Sequence, residues 1–336
     1  MATQATTAVV IHELGNLDSI SVEQVLLPSL EENQVLIQIE CAPINPIDLM
    51  LATGHHGIPP PPKILGFEGS GTVIRSGSHP YAQSLVGKRV AALSPLQGGF
   101  GALSEYLVTS AFTVVVLRDS VTFEQGASLL INPLTVAIMI ERLKEGRQTS
   151  AVFNAAASSL AKMAIRWCQS LNISPICLVK RQEQVDLLAS LGVQHVFNTS
   201  KDGWKDEAKA VTSQLGTKIG FDCISGTETQ DMINLLLDGG TVHVYGSLSG
   251  QEPQISSFSL ISGDKSIRGL TWGTWFFRLP ADKKSEVENE VQDLIGSILK
   301  TDFHAEITLD GVKDAIKQYS TKKTDSKFLV RVRKTQ

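Results

Sequence analysis

A turn built almost wholly of alanine and serine is the first place where this chain could hold a charged ligand. The apolar run Ala151-Val152-Phe153 passes into Asn154-Ala155-Ala156-Ala157-Ser158-Ser159-Leu160-Ala161, and a helical pattern follows. Backbone N–H groups at a helix N-terminus, with the helix dipole behind them, favour an anion, so such a strand–turn–helix can cradle a pyrophosphate. The usual form of the turn is GxGxxG, because glycine lets the backbone approach the phosphates. Here there is no glycine, but small side chains leave most of the same room, and serine hydroxyls can donate to phosphate. Taken alone, the segment reads either as a cradle formed by Ala157, Ser158, Ser159 and Leu160 or as an ordinary strand–helix turn.

Lys180-Arg181 stand 22 residues after Ser158, at the end of the next apolar run. A site for NAD places Asp or Glu there against the ribose hydroxyls, whereas NADPH brings a 2′-phosphate that needs positive charge. The planar fork of an arginine suits that phosphate. Two basic residues at a strand end are also a common solvated edge, but turn and basic pair together point to NADPH. Gly246 and Ser247, at the end of a later apolar run, fall where a ligand crosses a doubly wound sheet. His55-His56 are adjacent, so in an extended segment their side chains point to opposite sides. No cysteine or carboxylate cluster surrounds them at zinc-like spacing, and no metal is expected.

These residues need a scaffold, and the pattern supplies one. Residues 121–142 have helical spacing broken at Asn132-Pro133, which predicts two helices meeting there. After the strand at 151–153, Leu160, Met163, Ala164, Trp167, Cys168 and Leu171 share one helix face. Strands follow at 175–180, 195–197, 218–225 and 240–246, with a helix at 185–191 stopped by Gly192. Strands alternating with helices predict a parallel, doubly wound sheet. The first 120 residues instead read as β: 8–11 is apolar, 34–40 alternates with Val35, Ile37 and Ile39 on one face, and glycine–proline turns punctuate the rest. That predicts a barrel-like, loop-rich unit. Beyond 266 come a short strand, the aromatic run TWGTWFF and a charged helix at about 282–300. The last alternating run, 326–333, needs a partner, and the N-terminal β unit is the expected one. The β domain is then discontinuous, 1–120 with 271–336, around a nucleotide-binding domain at 121–270.

The 336 residues are 42% hydrophobic and 19% charged, which excludes a disordered chain. Thirty basic and thirty-four acidic residues leave a net charge of −4, without the basic excess of a nucleic-acid binder. Lys322-Lys323 and the cluster Arg331, Arg333, Lys334 read as a solvated edge. Cysteines at 41, 168, 177 and 223 form no CxxC pair, which favours a reducing compartment: cytoplasm, with the mitochondrial matrix as the alternative. No uninterrupted apolar run reaches about 18 residues, so no membrane span is expected. MATQATTA at the start reads as neither a signal peptide nor a basic transit peptide.

Asn45-Pro46-Ile47-Asp48 resembles the NPxD segment of the medium-chain dehydrogenase/reductase superfamily, and Gly66-Phe67-Glu68-Gly69-Ser70-Gly71-Thr72-Val73 resembles its GxExxGxV segment. Gly87-Lys88-Arg89-Val90 and Gly101-Ala102-Leu103-Ser104-Glu105-Tyr106 are similar to further strands of the family, and the resemblance runs over nearly the whole chain. It implies an α/β fold: a GroES-like β-barrel domain enclosing a Rossmann domain with a doubly wound parallel sheet, and an active site in the cleft between them. Zinc enzymes of the superfamily have a metal-binding histidine where this chain has Phe67 and a cysteine where it has Ile44, and their four-cysteine lobe is absent. The resemblance is therefore to the zinc-free branch, the quinone oxidoreductases and 2-enoyl thioester reductases. Asn132-Pro133-Leu134-Thr135, the turn 154–161 and Gly269-Leu270-Thr271-Trp272-Gly273-Thr274-Trp275 look more like the enoyl reductases. The chain departs from them twice. Ala161 stands where they keep one glycine, and Gly54-His55-His56 puts His56 at their tyrosine position.

The resemblance implies an NADPH-dependent reduction of an activated C=C bond in a 2-enoyl thioester or enone. His56 would be the proton donor, with an imidazole pKa near the working range. Asn45 and Thr135 would lie by the nicotinamide and its ribose. His55, Trp272 and Trp275 would line the substrate pocket, although the tryptophans read equally as core or interface packing. An NADPH:quinone reductase is the first alternative, separated by pocket shape rather than motif. A catalytically degenerate member with a structural or interaction role is the second, motivated by Ala161 and the missing tyrosine. The family resemblance also implies a homodimer.

Overall fold

The computed structural model describes residues 5–54, 64–95, 100–321 and 327–333. The chain divides into two units, Met1–Asn132 with Glu288–Gln336 and, between them, Pro133–Val287.

β-branched residues at alternate positions build the first unit. β1 (Ala5–Ile11) and β2 (Ile20–Leu26) form their own antiparallel pair. β3 (Gln34–Pro43) is the central strand of the main sheet, and its Val35, Ile37 and Ile39 are fully buried. After α1 (Pro46–Thr53) come β4 (Glu68–Ser76), α2 (Pro80–Ser84), β5 (Arg89–Leu93), β6 (Tyr106–Ser110), β7 (Val114–Val116) and α3 (Phe123–Ala127). β4 lies antiparallel to β3 with two register shifts, which twist the pair locally. A Cβ on Gly71 would sit 2.0 Å from the Gln38 carbonyl oxygen, so only glycine lets β4 approach β3 there.

The second unit alternates helix and strand: α4 (Asn132–Glu145), β8 (Ser150–Phe153), α5 (Ser159–Ser170), β9 (Ser174–Val179), α6 (Gln182–Ser190), β10 (His195–Asn198), α7 (Trp204–Leu215), β11 (Ile219–Asp222), α8 (Thr227–Leu235), β12 (Thr241–Val244), α9 (Ser257–Ile261), β13 (Ser266–Gly269), α10 (Trp272–Arg278) and α11 (Ala281–Leu294). Its six strands run in the order β10-β9-β8-β11-β12-β13, and every pairing is parallel. That is a doubly wound sheet whose strand order reverses between β8 and β11. β8 and β11 are buried throughout, as strands covered on both faces must be. On α5, Met163, Ala164, Trp167 and Cys168 are buried as the spacing requires, while Leu171 at the C-cap is exposed. Gly192 has φ +79° just past α6, consistent with the predicted helix stop.

The chain then returns to the first unit through β14 (Ala305–Ile307), α12 (Val312–Thr321) and β15 (Phe328–Arg331). β15 pairs antiparallel with β3, Leu329 opposite Pro43, so the last strand finds its partner in the N-terminal unit as its alternation required. The seven-stranded sheet runs β14-β15-β3-β4-β5-β7, with β6 also paired to β3. Arg331 bonds Glu306 of β14 and Glu124 of α3, and Arg333 bonds Glu40 of β3.

The division differs from boundaries at 120 and 270. α3 stays with the first unit because Ser70 Oγ donates to the Phe123 carbonyl at 2.5 Å and the Arg89 guanidinium stacks 4.5 Å from the Phe123 ring. α10 and the start of α11 stay with the second, where Lys284 lies 5.1 Å from the Phe276 ring.

Candidate functional site

In the first unit the NPxD and GxExxGxV segments meet at one carboxylate. Asn45 precedes α1, and its backbone N–H donates to Asp48 Oδ2 at 2.7 Å, half of a capping box. Its side-chain Nδ2 donates to Glu68 Oε1 at 3.0 Å. Glu68 Oε2 accepts the N–H groups of Leu130 at 3.1 Å and Ile131 at 3.0 Å, just before α4 begins. One carboxylate thus ties three segments together: α1's N-terminus, β4 and the approach to the Asn132-Pro133-Leu134-Thr135 turn.

Lys327 completes this cluster. It precedes β15, and Ile44 N–H donates to the Phe328 carbonyl at 3.0 Å, so the antiparallel register places Lys327 opposite Asn45. Asn45, Asp48, Glu68 and Lys327 are all buried. Burial pushes Glu68 above its ordinary value, against the pull of Lys327 and of its hydrogen-bond donors. Burial pushes Asp48 up to about 7; the Asn45 N–H opposes this and the Glu68 charge adds to it. Lys327 is lowered by burial and held up by Glu68 and Asp48. Asn45 Oδ1, Asp48 Oδ1 and Lys327 Nζ have no hydrogen-bond partner among the described residues. Glu68 belongs to the GxExxGxV segment, which by itself assigns it no role, and Lys327 belongs to no motif. A lone carboxylate between glycines in an apolar strand is the signal that could have drawn attention to it.

In the second unit the candidate residues gather at the carboxyl ends of the strands. Ser158 caps α5, its Oγ accepting the Ala161 N–H at 3.3 Å. Helix geometry leaves the N–H groups of Ser159 and Leu160 without intrahelical partners. Ala157 is buried, and Ser158, Ser159 and Leu160 are half-buried. The lack of glycine shows at Ala155, held at φ +41°, a left-handed conformation that costs an L-residue about 1 kcal/mol. Asn154 spans the strand-order reversal: its Nδ2 donates to Asp222 Oδ1 at 2.5 Å and its Oδ1 accepts the Cys223 N–H at 2.9 Å. Asp222 also accepts from the N–H groups of Ile224 and Ser225 and from Thr229 Oγ1. Gly246 follows β12, where a Cβ would stand 3.0 Å from the Cys223 carbonyl oxygen. Ser247 comes next, its Oγ donating to the Gln251 carbonyl at 3.3 Å. The turn and Gly246 are thus joined through Asp222 and Cys223, which sequence reasoning had left inside an unremarkable strand.

Lys180 and Arg181 are exposed just after β9. Their N–H groups both donate to Gln184 Oε1. The Lys180 carbonyl accepts from Ser200 Oγ at 2.9 Å, and Lys201 Nζ donates to Gln182 Oε1 at 2.8 Å. Lys201 therefore adds a third basic residue to this rim, from after β10, where no sequence spacing rule looks. Thr135 is buried on α4. Trp272 and Trp275 are half-buried on α10, and Trp272 lies 6.5 and 6.1 Å from the rings of Phe276 and Phe277. His55 and His56 lie outside the described residues. Among the described residues no group of three His, Cys, Asp or Glu is placed to hold a metal, no helix is long and apolar enough to cross a membrane, and all four cysteines are free and buried.

Two family profiles match the chain: the alcohol dehydrogenase GroES-like domain over residues 31–119 and the zinc-binding dehydrogenase over residues 159–293. The mitochondrial enoyl-[acyl-carrier-protein] reductase of Arabidopsis thaliana is 29% identical over 299 residues, covering 86% of this chain and 77% of that protein. A putative NADPH:quinone reductase from Mesorhizobium loti superposes with a TM-score of 0.86 at 26% identity, over 98% of this chain and 99% of that one. The Escherichia coli quinone oxidoreductase, solved with NADPH, shares the fold with a TM-score of 0.85 at 20% identity, over 97% of this chain and 99% of that one.

Proposed function

The chain belongs to the medium-chain dehydrogenase/reductase superfamily, in its zinc-free quinone oxidoreductase and enoyl reductase branch, and from that premise we propose that it reduces an activated C=C bond, of a 2-enoyl thioester or an enone, with NADPH. The observation that carries the proposal is the carboxyl edge of the second unit's sheet. There a small-residue turn capped by Ser158, the Gly246 approach to Cys223 and a basic rim at Lys180 and Arg181 follow β8, β12 and β9, on both sides of the strand-order reversal. This set fits a phosphorylated dinucleotide. The first-turn N–H groups of Ser159 and Leu160, with Ala157 and the Ser158 hydroxyl, hold the pyrophosphate. Lys180 and Arg181 take the 2′-phosphate, and Gly246 and Ser247 leave room for the chain of the ligand.

When bound, NADPH supplies a hydride to the β-carbon of the substrate. The protein's own part is orientation and proton delivery. Asn45 and Thr135 orient the nicotinamide end. Glu68 fixes the Asn45 side chain and the backbone entering α4, so it is a positioning residue. His56 is assigned delivery of a proton to the α-carbon, a step worth about 10² to 10⁴ in rate, and His55, Trp272 and Trp275 are assigned recognition of the acyl group. Turnover of a short enoyl thioester with NADPH deuterated at C4 tests this: deuterium on the β-carbon of the saturated product is expected, and its absence refutes the mechanism.

A quinone as acceptor is the second reading, favoured by the putative NADPH:quinone reductase that this chain superposes on at 26% identity. Relative turnover of a quinone and an enoyl thioester separates the two. The enoyl reductase relatives are mitochondrial by name, which supports the matrix as the alternative to the cytoplasm. Among the described residues β13 has no strand on its outer edge, which supports a homodimer that sedimentation of the full chain tests.

A further inference from the structure

Lys180 does not face the groove unpartnered. Its Nζ lies 2.7 Å from Glu228 Oε1. Lys180 directly follows β9, and Glu228 is in the first turn of α8, which follows β11. β9, β8 and β11 are adjacent parallel strands in that order. Neighbouring strands lie about 4.8 Å apart, so the outer two are about 10 Å apart with β8 between them. An ion pair joining residues beyond the ends of β9 and β11 therefore crosses the end of β8, where the turn 154–158 enters α5. The start of α8 is fixed: Asp222 Oδ2 accepts from Thr229 Oγ1 at 2.6 Å and Asp222 Oδ1 from the Ser225 N–H at 2.9 Å. The lysine, with the more exposed and flexible side chain, is the partner that can move.

We propose that Glu228 is a specificity-determining residue: it holds Lys180 across the groove and competes with the 2′-phosphate of NADPH for that ammonium. The inference rests on the dinucleotide reading of the groove. A 2′-phosphate must take Lys180 from Glu228 and then sits near an uncompensated carboxylate. NADH has no such phosphate, and a carboxylate near its ribose hydroxyls does it no harm. Glu228 thus lowers the preference for NADPH below what Lys180 and Arg181 alone would give. Because an ion pair this exposed is weak, the effect is several-fold rather than many orders of magnitude.

The test is a fluorescence titration of the full chain with NADPH and with NADH, for the parent, Glu228→Gln, Lys180→Ala and the double variant. Glu228→Gln is expected to tighten NADPH by about 2- to 5-fold, with NADH unchanged or weakened. In the Lys180→Ala background the same change should gain less than half that factor. An equal shift for both dinucleotides, no shift, or weaker NADPH binding overturns the role of Glu228 while leaving the dinucleotide groove standing. Binding of neither dinucleotide to the parent overturns the groove itself and this role with it. Matching melting temperatures without ligand for parent and Glu228→Gln establish that the comparison is between equally folded proteins.

Discussion

Replacing Glu68 by alanine removes the carboxylate on which three segments converge. Three donors lose their acceptor at once: Asn45 Nδ2 at 3.0 Å, the Leu130 N–H at 3.1 Å and the Ile131 N–H at 3.0 Å. The buried Lys327 also loses one of the two carboxylates that hold up its charge. Hydrogen bonds to charged groups contribute about 1.5–3 kcal/mol each. Their sum is not the expected loss, because they share one group and the burial cost of the carboxylate disappears with it. Breaking one side of a buried charged cluster costs about 3–5 kcal/mol, and that is the loss expected for Glu68→Ala. Glu68→Gln keeps the shape. Its Oε1 can still accept the two backbone N–H groups, and its Nε2 can meet Asn45 Oδ1, which has no other partner, if the Asn45 amide turns over. A loss of about 1–2 kcal/mol is expected there. Adding Lys327→Met to Glu68→Gln should recover stability, because it removes an ammonium left with weaker compensation. Urea unfolding of the ligand-free chain, followed by tryptophan fluorescence, gives all three values. A Glu68→Ala variant within about 1 kcal/mol of the parent would refute the claim that this carboxylate holds the segments together.

Three further outcomes follow from the same structure. Asp48 has a folded pKa of about 7, above its unfolded value, so its contribution is fully present in acid and is lost as pH rises from about 4 to 7; Asp48→Asn should flatten that part of the stability–pH curve measured by thermal melts. Ala155 sits at φ +41°, so Ala155→Gly should raise stability by up to about 1 kcal/mol, the relief of strain being partly offset by unfolded-state entropy; a loss on urea unfolding would contradict the strain. Arg181→Ala should weaken NADPH binding at least about tenfold while changing NADH little, if its fork takes the 2′-phosphate; equal weakening by titration would remove it from that role.

The scaffold could be read from the sequence because period and punctuation report burial directly. The strand–helix alternation gave the parallel sheet, and the alternation of Phe328, Val330 and Val332 required a β partner, which β3 supplies. The unit boundaries were harder, because α3 and α10 are short and their allegiance is set by packing on strands distant in the chain, as α3 packs on β3, β4 and β5. At the candidate site, Ser158 and Gly246 stood out in the sequence by their places after strands of a doubly wound sheet, whereas the capping of α5 by Ser158 and the approach of Gly246 to Cys223 come from the structure. Glu68, Lys327, Asp222 and Glu228 did not stand out. Each matters through a partner far away in the chain, as Glu68 does through Leu130 and Lys180 through Glu228, and no local spacing announces such a pair.

Every catalytic role assigned to this chain depends on a phosphorylated dinucleotide seating on the glycine-free turn. Titration of the full chain with NADPH and NADH, read by nicotinamide fluorescence and by thermal shift, tests that most directly. Saturable binding, with NADPH tighter than NADH, is expected. A flat response to both would contradict it and leave the fold in the service of something other than reduction.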